Sequence, residues 1–329
     1  MILGRRRLFA ALGSLSVPAS AVNLARGQET LPDKTVQIFI GFGPGGGTDS
    51  IANAIAAQLE RRLGRRVAVE ARIGSFGALP GDVVRKGPTD GSQLALLSST
   101  TLIARLASKD FPYDPVNDLA PVTEVGAFAI AFAVSPTIGV ESFADYVQWL
   151  KSGDKPRRRI AVSSNTAFVQ VLDALLAQSL GEPLEPVSYR SAVPMLNDLQ
   201  EGRIAAGITA VTALLPAHRG GRCSILFVTG NKRLTVAPTI PTAPELGYPR
   251  LDFEEWFAFF AARATPPEIL TTWNRTLRAA IEDPSVAGEL SPLGLNVETT
   301  TRDGLAARID AHRQEWEARM KSAGLQPAQ

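Results

Sequence analysis

The chain is poor in the side chains that organise proton, metal and redox chemistry. Two histidines, His218 and His312, and one cysteine, Cys223, are all that its 329 residues carry. A single cysteine forms no internal disulfide, and no paired-histidine or cysteine/histidine spacing suits a metal. Ser224-Ile225-Leu226-Phe227-Val228 beside Cys223 reads as a buried strand, so the thiol reads as a packed one. No serine sits in a G-x-S-x-G turn, and no His, Lys and Asp/Glu set is arranged for hydride and proton transfer. Beyond the N-terminal segment no apolar run is long enough to span a bilayer. A formal charge of +2 with 20% charged residues gives no field that would draw nucleic acid. The basic cluster Lys155, Arg157, Arg158 and Arg159 reads as a solvated loop.

What is present begins with an export signal. Arg5-Arg6-Arg7 precedes the apolar run from Leu8 to Val17, and Ala19-Ser20-Ala21 has the small-residue cleavage pattern, so residues 1–21 are expected to be removed. Arg6-Arg7-Leu8-Phe9 is also similar to the twin-arginine export signature. The mature chain is then expected in the periplasm, and its length allows two domains, each with a core.

The rest is organised around Val36-Gln37-Ile38-Phe39-Ile40-Gly41-Phe42-Gly43-Pro44-Gly45-Gly46-Gly47-Thr48-Asp49. A strand-like run feeds a glycine-dense turn, and Ile51, Ile55 and Leu59 then recur at helical spacing. Glycines let backbone N–H groups approach a ligand, and a helix start adds unpaired donors and a partial positive charge. Gly45, Gly46, Gly47, Thr48 and Asp49 thus read as an anion cradle, or as a tight connection capped by Thr48 or Asp49. The same glycines also fit G-x-G-x-x-G, with Glu70 where a ribose-binding acid would stand, which keeps an exported dinucleotide oxidoreductase open as an alternative.

The pattern then repeats. Gln93 to Leu97 reads as a strand ending in Ser98-Ser99-Thr100-Thr101, where Ser98 and Thr100 are ligand candidates or a helix cap. Asn117-Asp118-Leu119-Ala120-Pro121 reads as a turn-rich passage into the apolar run from Phe128 to Val134, a crossing between domains. Arg159-Ile160-Ala161-Val162 enters Ser163, Ser164, Asn165 and Thr166, followed by a helix from about Ala167 to Leu180. This echoes the opening unit, so two helix N-termini, one per domain, would grip one anion from both sides. Tyr189, Arg190 and Thr209 end later strands, Tyr189 either as a core aromatic or facing the ligand. Trp256-Phe257-Ala258-Phe259-Phe260 reads as the return crossing, and helices near Pro267 to Ile281 and Arg302 to Ser322 close the chain. Leu305, Ile309, His312, Trp316 and Met320 stripe the last helix, which makes His312 a packing residue. Alternating strands and helices of this kind give an α/β fold with mixed sheets flanked by helices.

Read in order, Pro44-Gly45-Gly46-Gly47-Thr48-Asp49, Pro112-Tyr113-Asp114-Pro115, Asp118-Leu119-Ala120-Pro121-Val122-Thr123, Val187-Ser188-Tyr189-Arg190 and Pro238-Thr239-Ile240-Pro241-Thr242 resemble the tripartite tricarboxylate transporter substrate-binding family, the Bug receptors. The likeness covers about residues 32–325. It implies a two-domain periplasmic binding protein of type II-like fold with a cleft between domains: residues 30–127 plus 255–329 as a discontinuous first domain and 128–254 as the second. It also implies capture of a small organic carboxylate, delivery to the membrane permease subunits of a tripartite transporter, a monomer, no cofactor, no metal and no catalysis. In the family the carboxylate is held by backbone groups, hydroxyls and waters. The chain departs from that pattern at residues 163–166, where a glycine-rich loop is usual, at Ser188-Tyr189-Arg190-Ser191 in place of Pro-Tyr-Lys-Gly, and at Thr209 in place of an aspartate. Thr209 offers no partner to an ammonium, so a carboxylate lacking an amino group is expected, with Arg190 as a second anion contact.

Overall fold

The computed structural model describes residues 31–43, 47–107, 111–153, 155–163 and 167–325, and residues 31–329 form one compact unit. The signal segment and Gly45, Gly46, Ser164, Asn165 and Thr166 lie outside the described residues.

The chain opens with β1 (Val36–Ile40), α1 (Gly47–Leu63), β2 (Val67–Ala71), α2 (Leu79–Lys86), β3 (Gln93–Ser98), α3 (Ser99–Ala107), α4 (Pro115–Asp118) and β4 (Leu119–Phe128). Next come β5 (Ile130–Val134), α5 (Phe143–Lys151), β6 (Arg159–Val162), α6 (Ala167–Leu180), β7 (Glu185–Ser188), α7 (Ala192–Gln200), β8 (Ala206–Ala210), α8 (Val211–Arg219) and β9 (Ser224–Val228). Then β10 (Glu255–Ala262), α9 (Pro267–Ile281), α10 (Pro284–Leu290), β11 (Leu295–Val297) and α11 (Arg302–Ser322) complete it.

These strands form a six-stranded sheet, β11-β4-β10-β3-β1-β2, and a five-stranded sheet, β7-β6-β8-β5-β9. Each sheet repeats one plan. A parallel trio, β3-β1-β2 or β8-β6-β7, is flanked on its β3 or β8 side by an antiparallel strand, β10 or β5. The trio strands feed helices, which cover the sheets and place the carboxyl ends of β1, β3, β6 and β8 where ligands bind in open α/β sheets.

Local chemistry explains the elements. Ile51, Ile55 and Leu59 of α1 are fully buried, as the spacing predicts. On α11, Leu305, Ile309, His312, Trp316 and Met320 are buried, while Arg313–Glu317 and Arg319–Glu315 pair along the outer faces. Thr301 caps it by accepting from the Gly304 N–H, and Ser142 with Asp145 closes a capping box on α5.

Two local readings change. Leu119, Ala120 and Pro121, read as the end of a turn-rich passage, instead open a ten-residue strand to Phe128: burial on both faces erases the alternation. Pro121 is tolerated because β11 pairs only with residues 126–128 of β4, leaving no strand on that side at Pro121. The basic cluster is more than a solvated loop, since the Arg157 guanidinium lies 4.6 Å from the Trp149 ring centroid and donates to the Trp149 carbonyl, and Arg158 pairs with Glu182.

Two stability tests follow. Burial lifts the Glu124 carboxyl to about 7; Glu298 adds to this, and Arg308, 2.9 Å away, opposes it. A raised carboxyl holds its proton more tightly in the folded chain, so its contribution is full below the ordinary value of 4.5 and is lost as pH climbs to about 7. Glu124→Gln is expected to remove that slope from urea midpoints taken across this range, and an unchanged slope would refute the assignment. The second test concerns helix contact. A Cβ on Gly47 would overlap Thr212 Oγ1 and stand 2.8 Å from the Thr212 Cβ, where α1 meets α8, whereas one on Gly288 in α10 meets nothing within 4 Å. Gly47→Ala should therefore cost about 1–3 kcal/mol. Gly288→Ala should gain up to about 1 kcal/mol from helix propensity. Equal shifts in unfolding midpoint would refute the close approach.

Candidate functional site

The cavity between the two sheets has a floor made where the chain changes sheet. Phe128, the last residue of β4, and Ile130, the first of β5, line it, with only Ala129 between them. Phe257 of β10 lines it beside Phe128, and their rings stack with centroids 4.4 Å apart. Leu172, Ile208 and Phe42 add apolar wall.

The polar lining consists of hydroxyls and helix starts. Gly47 and Thr48 come from the first turn of α1, Thr100 from that of α3, Ala192 from that of α7, and Thr212 and Ala213 from that of α8. Each start presents N–H groups without intrahelical partners and the positive end of a helix dipole. Ser98 Oγ and Thr100 Oγ1 stand 2.5 Å apart, as do Ser163 Oγ and Thr209 Oγ1. In each pair one hydroxyl donates to the other, and Ser98 Oγ also lies 3.4 Å from Thr101 Oγ1, so these hydroxyls form small networks at the chamber wall. Ser191 precedes α7 without bonding its own helix, so its hydroxyl is free to face inward. Among the described residues no charged side chain lines this chamber of about 80 Å³. It therefore offers an anion partial charges and donors, and a cation hydroxyl oxygens but no carboxylate among the described residues.

An outer chamber of about 670 Å³ shares Phe42, Gly43, Ser163 and Ser191 with the inner one, and adds Ile73, Tyr189 and Arg190 to its walls. Tyr189 Oη donates to Asp198 Oδ2 at 2.7 Å, and burial, aided by that carboxylate, pushes the phenol up to about 12. Asp198 is held below the usual carboxylate range by the Tyr189 hydrogen bond and by Arg203. The tyrosine is thus a strut with a packed ring, and Arg190 beside it is exposed.

Of the residues singled out by sequence, Gly47, Thr48, Ser98, Thr100, Ser163 and Thr209 meet around the inner chamber, and Tyr189 and Arg190 around the outer one. Asp49 lines neither; it accepts from Asn53 Nδ2 in the first turn of α1. Sequence reasoning missed Phe42, Phe128, Ser191, Thr212 and Phe257. For Ser191 the signal existed, a hydroxyl at a strand-to-helix junction like that of Ser98.

Two other features resemble catalytic or cofactor parts and are structural. Ser99 Oγ donates to Glu255 Oε2 and accepts from the Trp256 N–H, while His312 Nε2 lies 3.3 Å from the same carboxylate oxygen. In a nucleophile relay the imidazole stands between serine and acid, whereas here the acid stands between. Glu70 is engaged by Gln37 and Arg72, and a Cβ on Gly41 would lie 2.7 Å from Gly77 Cα, so this glycine serves loop packing. No group of three or more His, Cys, Asp and Glu able to hold a metal occurs among the described residues.

Comparison with known proteins shows the family and the fold. The family model for the tripartite tricarboxylate transporter family receptor matches residues 51–325. BugT of Bordetella pertussis is 28% identical over 320 residues, covering 96% of this chain and 95% of its own. A UPF0065 protein of Bordetella bronchiseptica is 28% identical over 316 residues, 95% of this chain and 91% of its own. Among solved structures, Rpa4515 of R. palustris with adipate superposes with a TM-score of 0.84 at 28% identity, covering 90% of this chain and 99% of that one. The periplasmic binding protein BugD shares the fold, with a TM-score of 0.83 at 22% identity over 90% of this chain and 99% of its own. The two mixed sheets with their helices are the two-domain periplasmic binding fold, and the chain belongs to the tripartite tricarboxylate transporter family of receptors.

Proposed function

We propose that the protein is a periplasmic receptor that closes on a small organic carboxylate lacking an amino group and hands it to the membrane permease subunits of a tripartite transporter. The observation that carries this reading is the inner chamber, where helix starts and hydroxyls converge and no acidic side chain lines the wall among the described residues. An anion finds donors on several sides. An ammonium would be buried without a partner charge, which is costly. The adipate held by Rpa4515, 28% identical to this chain, supports the same class. Residues 1–21 act as a cleaved export signal in this reading, and the mature chain works as a monomer without cofactor. The domains are residues 30–127 plus 255–329 and residues 128–254. Support for that division is that β4 and β10 pair in the first sheet while β5 and β9 pair in the second.

Calorimetry of the mature protein with succinate against aspartate, and glutarate against glutamate, tests the reading. The dicarboxylates should bind at least about tenfold tighter, since each factor of ten is about 1.4 kcal/mol and an unpartnered buried ammonium costs more than that. Thr209→Asp should narrow or reverse the gap by supplying the missing partner charge. Tighter binding of the amino acids by the unmodified protein would overturn it.

A further inference from the structure

We infer that Arg190 makes the site select for diacids, by holding a second carboxylate in the outer chamber while the first is held in the inner one. This rests on the carboxylate reading of the inner chamber and goes beyond it, because that chamber by itself is indifferent to what the far end of the ligand carries.

The argument starts from size. A water-sized group needs about 10–15 Å³ of cavity measured this way, so the inner chamber of about 80 Å³ takes roughly half a dozen. One carboxylate and a short run of methylenes fill it, and a longer ligand must leave. The way out is marked by the residues that line both chambers, Phe42 and Gly43 on one side and Ser163 and Ser191 on the other. An aromatic ring and a glycine make that neck suited to an apolar chain. Beyond it stands Arg190, the one charged side chain lining either chamber among the described residues.

Arg190 is equipped for an anion and spent on nothing else. It is exposed, and no hydrogen bond or ion pair engages it among the described residues. Asp198, the carboxylate that holds the neighbouring Tyr189 hydroxyl, is also paired with Arg203. The same bond to Asp198, with the Tyr189 N–H on the Val162 carbonyl at 2.8 Å, fixes the backbone from which Arg190 projects. A guanidinium matches a carboxylate with two parallel N–H donors, which rewards a terminal carboxylate over a terminal methyl.

The test is calorimetry of the mature protein with adipate and hexanoate, two six-carbon acids that differ in the second carboxylate. The unmodified protein should bind adipate at least about tenfold tighter than hexanoate, and this preference should shrink as salt is raised, because the distal contact is exposed. Arg190→Gln should lower adipate affinity about tenfold and leave hexanoate within about threefold of its starting value. Arg190→Lys should restore part of the preference, as a charge without the fork. Loss of both acids to the same degree in Arg190→Gln, or of neither, would overturn the assignment while leaving the inner carboxylate site standing. Failure of the unmodified protein to bind either acid would instead remove the carboxylate reading, and this inference with it.

Discussion

The structure depends on how the chain crosses between its two sheets. β4 and β5 are separated by Ala129 alone, and the crossing is pinned from both directions. Thr229, fully buried, accepts the Ile130 N–H through its hydroxyl, and its own N–H donates to the Ile130 carbonyl. The Ala129 carbonyl accepts the Val211 N–H, so α8 starts against the crossing as well. Backbone groups buried away from water must find partners, and here a sheet change with no room for a loop finds them across elements that belong to different parts of the chain. Because Phe128, Ile130 and Phe257 flank that crossing, the floor of the cavity is set by the same constraint that joins the sheets.

Behind the floor lies a second constraint, the buried carboxylate of Glu255. It is fully buried at the start of β10, one residue before Trp256 and two before Phe257. Its oxygen meets Ser99 from α3 and His312 from α11, and Trp256 packs edge-on to the imidazole at 5.4 Å. A buried polar group left unpaired is costly, so the serine hydroxyl that donates to it is a condition of its burial. What is gained in return is position. Ser99 sits between Ser98 and Thr100, which line the inner chamber, so the C-terminal helix braces a strand-to-helix junction far from it in sequence. The histidine that composition alone makes conspicuous is thus a support.

Much of this was legible in the sequence, and the limits have physical reasons. The glycine-rich start of α1, the hydroxyls after β3 and β6, and the buried stripe of α11 are local patterns whose periodicity states which face turns inward. The order of family landmarks supplied the architecture. Pairing was not legible: β10 reads as an apolar run, and nothing within it says that Phe257 will stack on Phe128, a partner 129 positions earlier. Thr212 was missed for a related reason. It lies one residue into a helix that begins directly at the end of β8, so no turn residue marks the junction, and its meeting with Gly47 is purely tertiary. Gly47 itself was read as a donor of backbone N–H groups, yet the overlap that any Cβ would make with Thr212 shows it also sets how near α1 and α8 approach.

The division of labour between the chambers follows from the cost of moving charge out of water. A lysine or arginine in the inner chamber would itself have to be desolvated, and its attraction for a carboxylate would largely repay that cost instead of adding affinity. Helix starts and hydroxyls avoid the problem: their partial charges are already fixed by the folded backbone and carry no full charge to desolvate. Thr48, Ser98, Thr100, Ser163, Thr209 and Thr212 line the inner chamber, and no charged side chain does so among the described residues. Arg190 stands where solvent still reaches it, so its own charge remains hydrated when the site is empty and its contact with an anion is screened by salt. In the proposed reading, a full charge at the mouth and partial charges on the inner walls would let one cleft discriminate between ligand ends without burying an ion of its own.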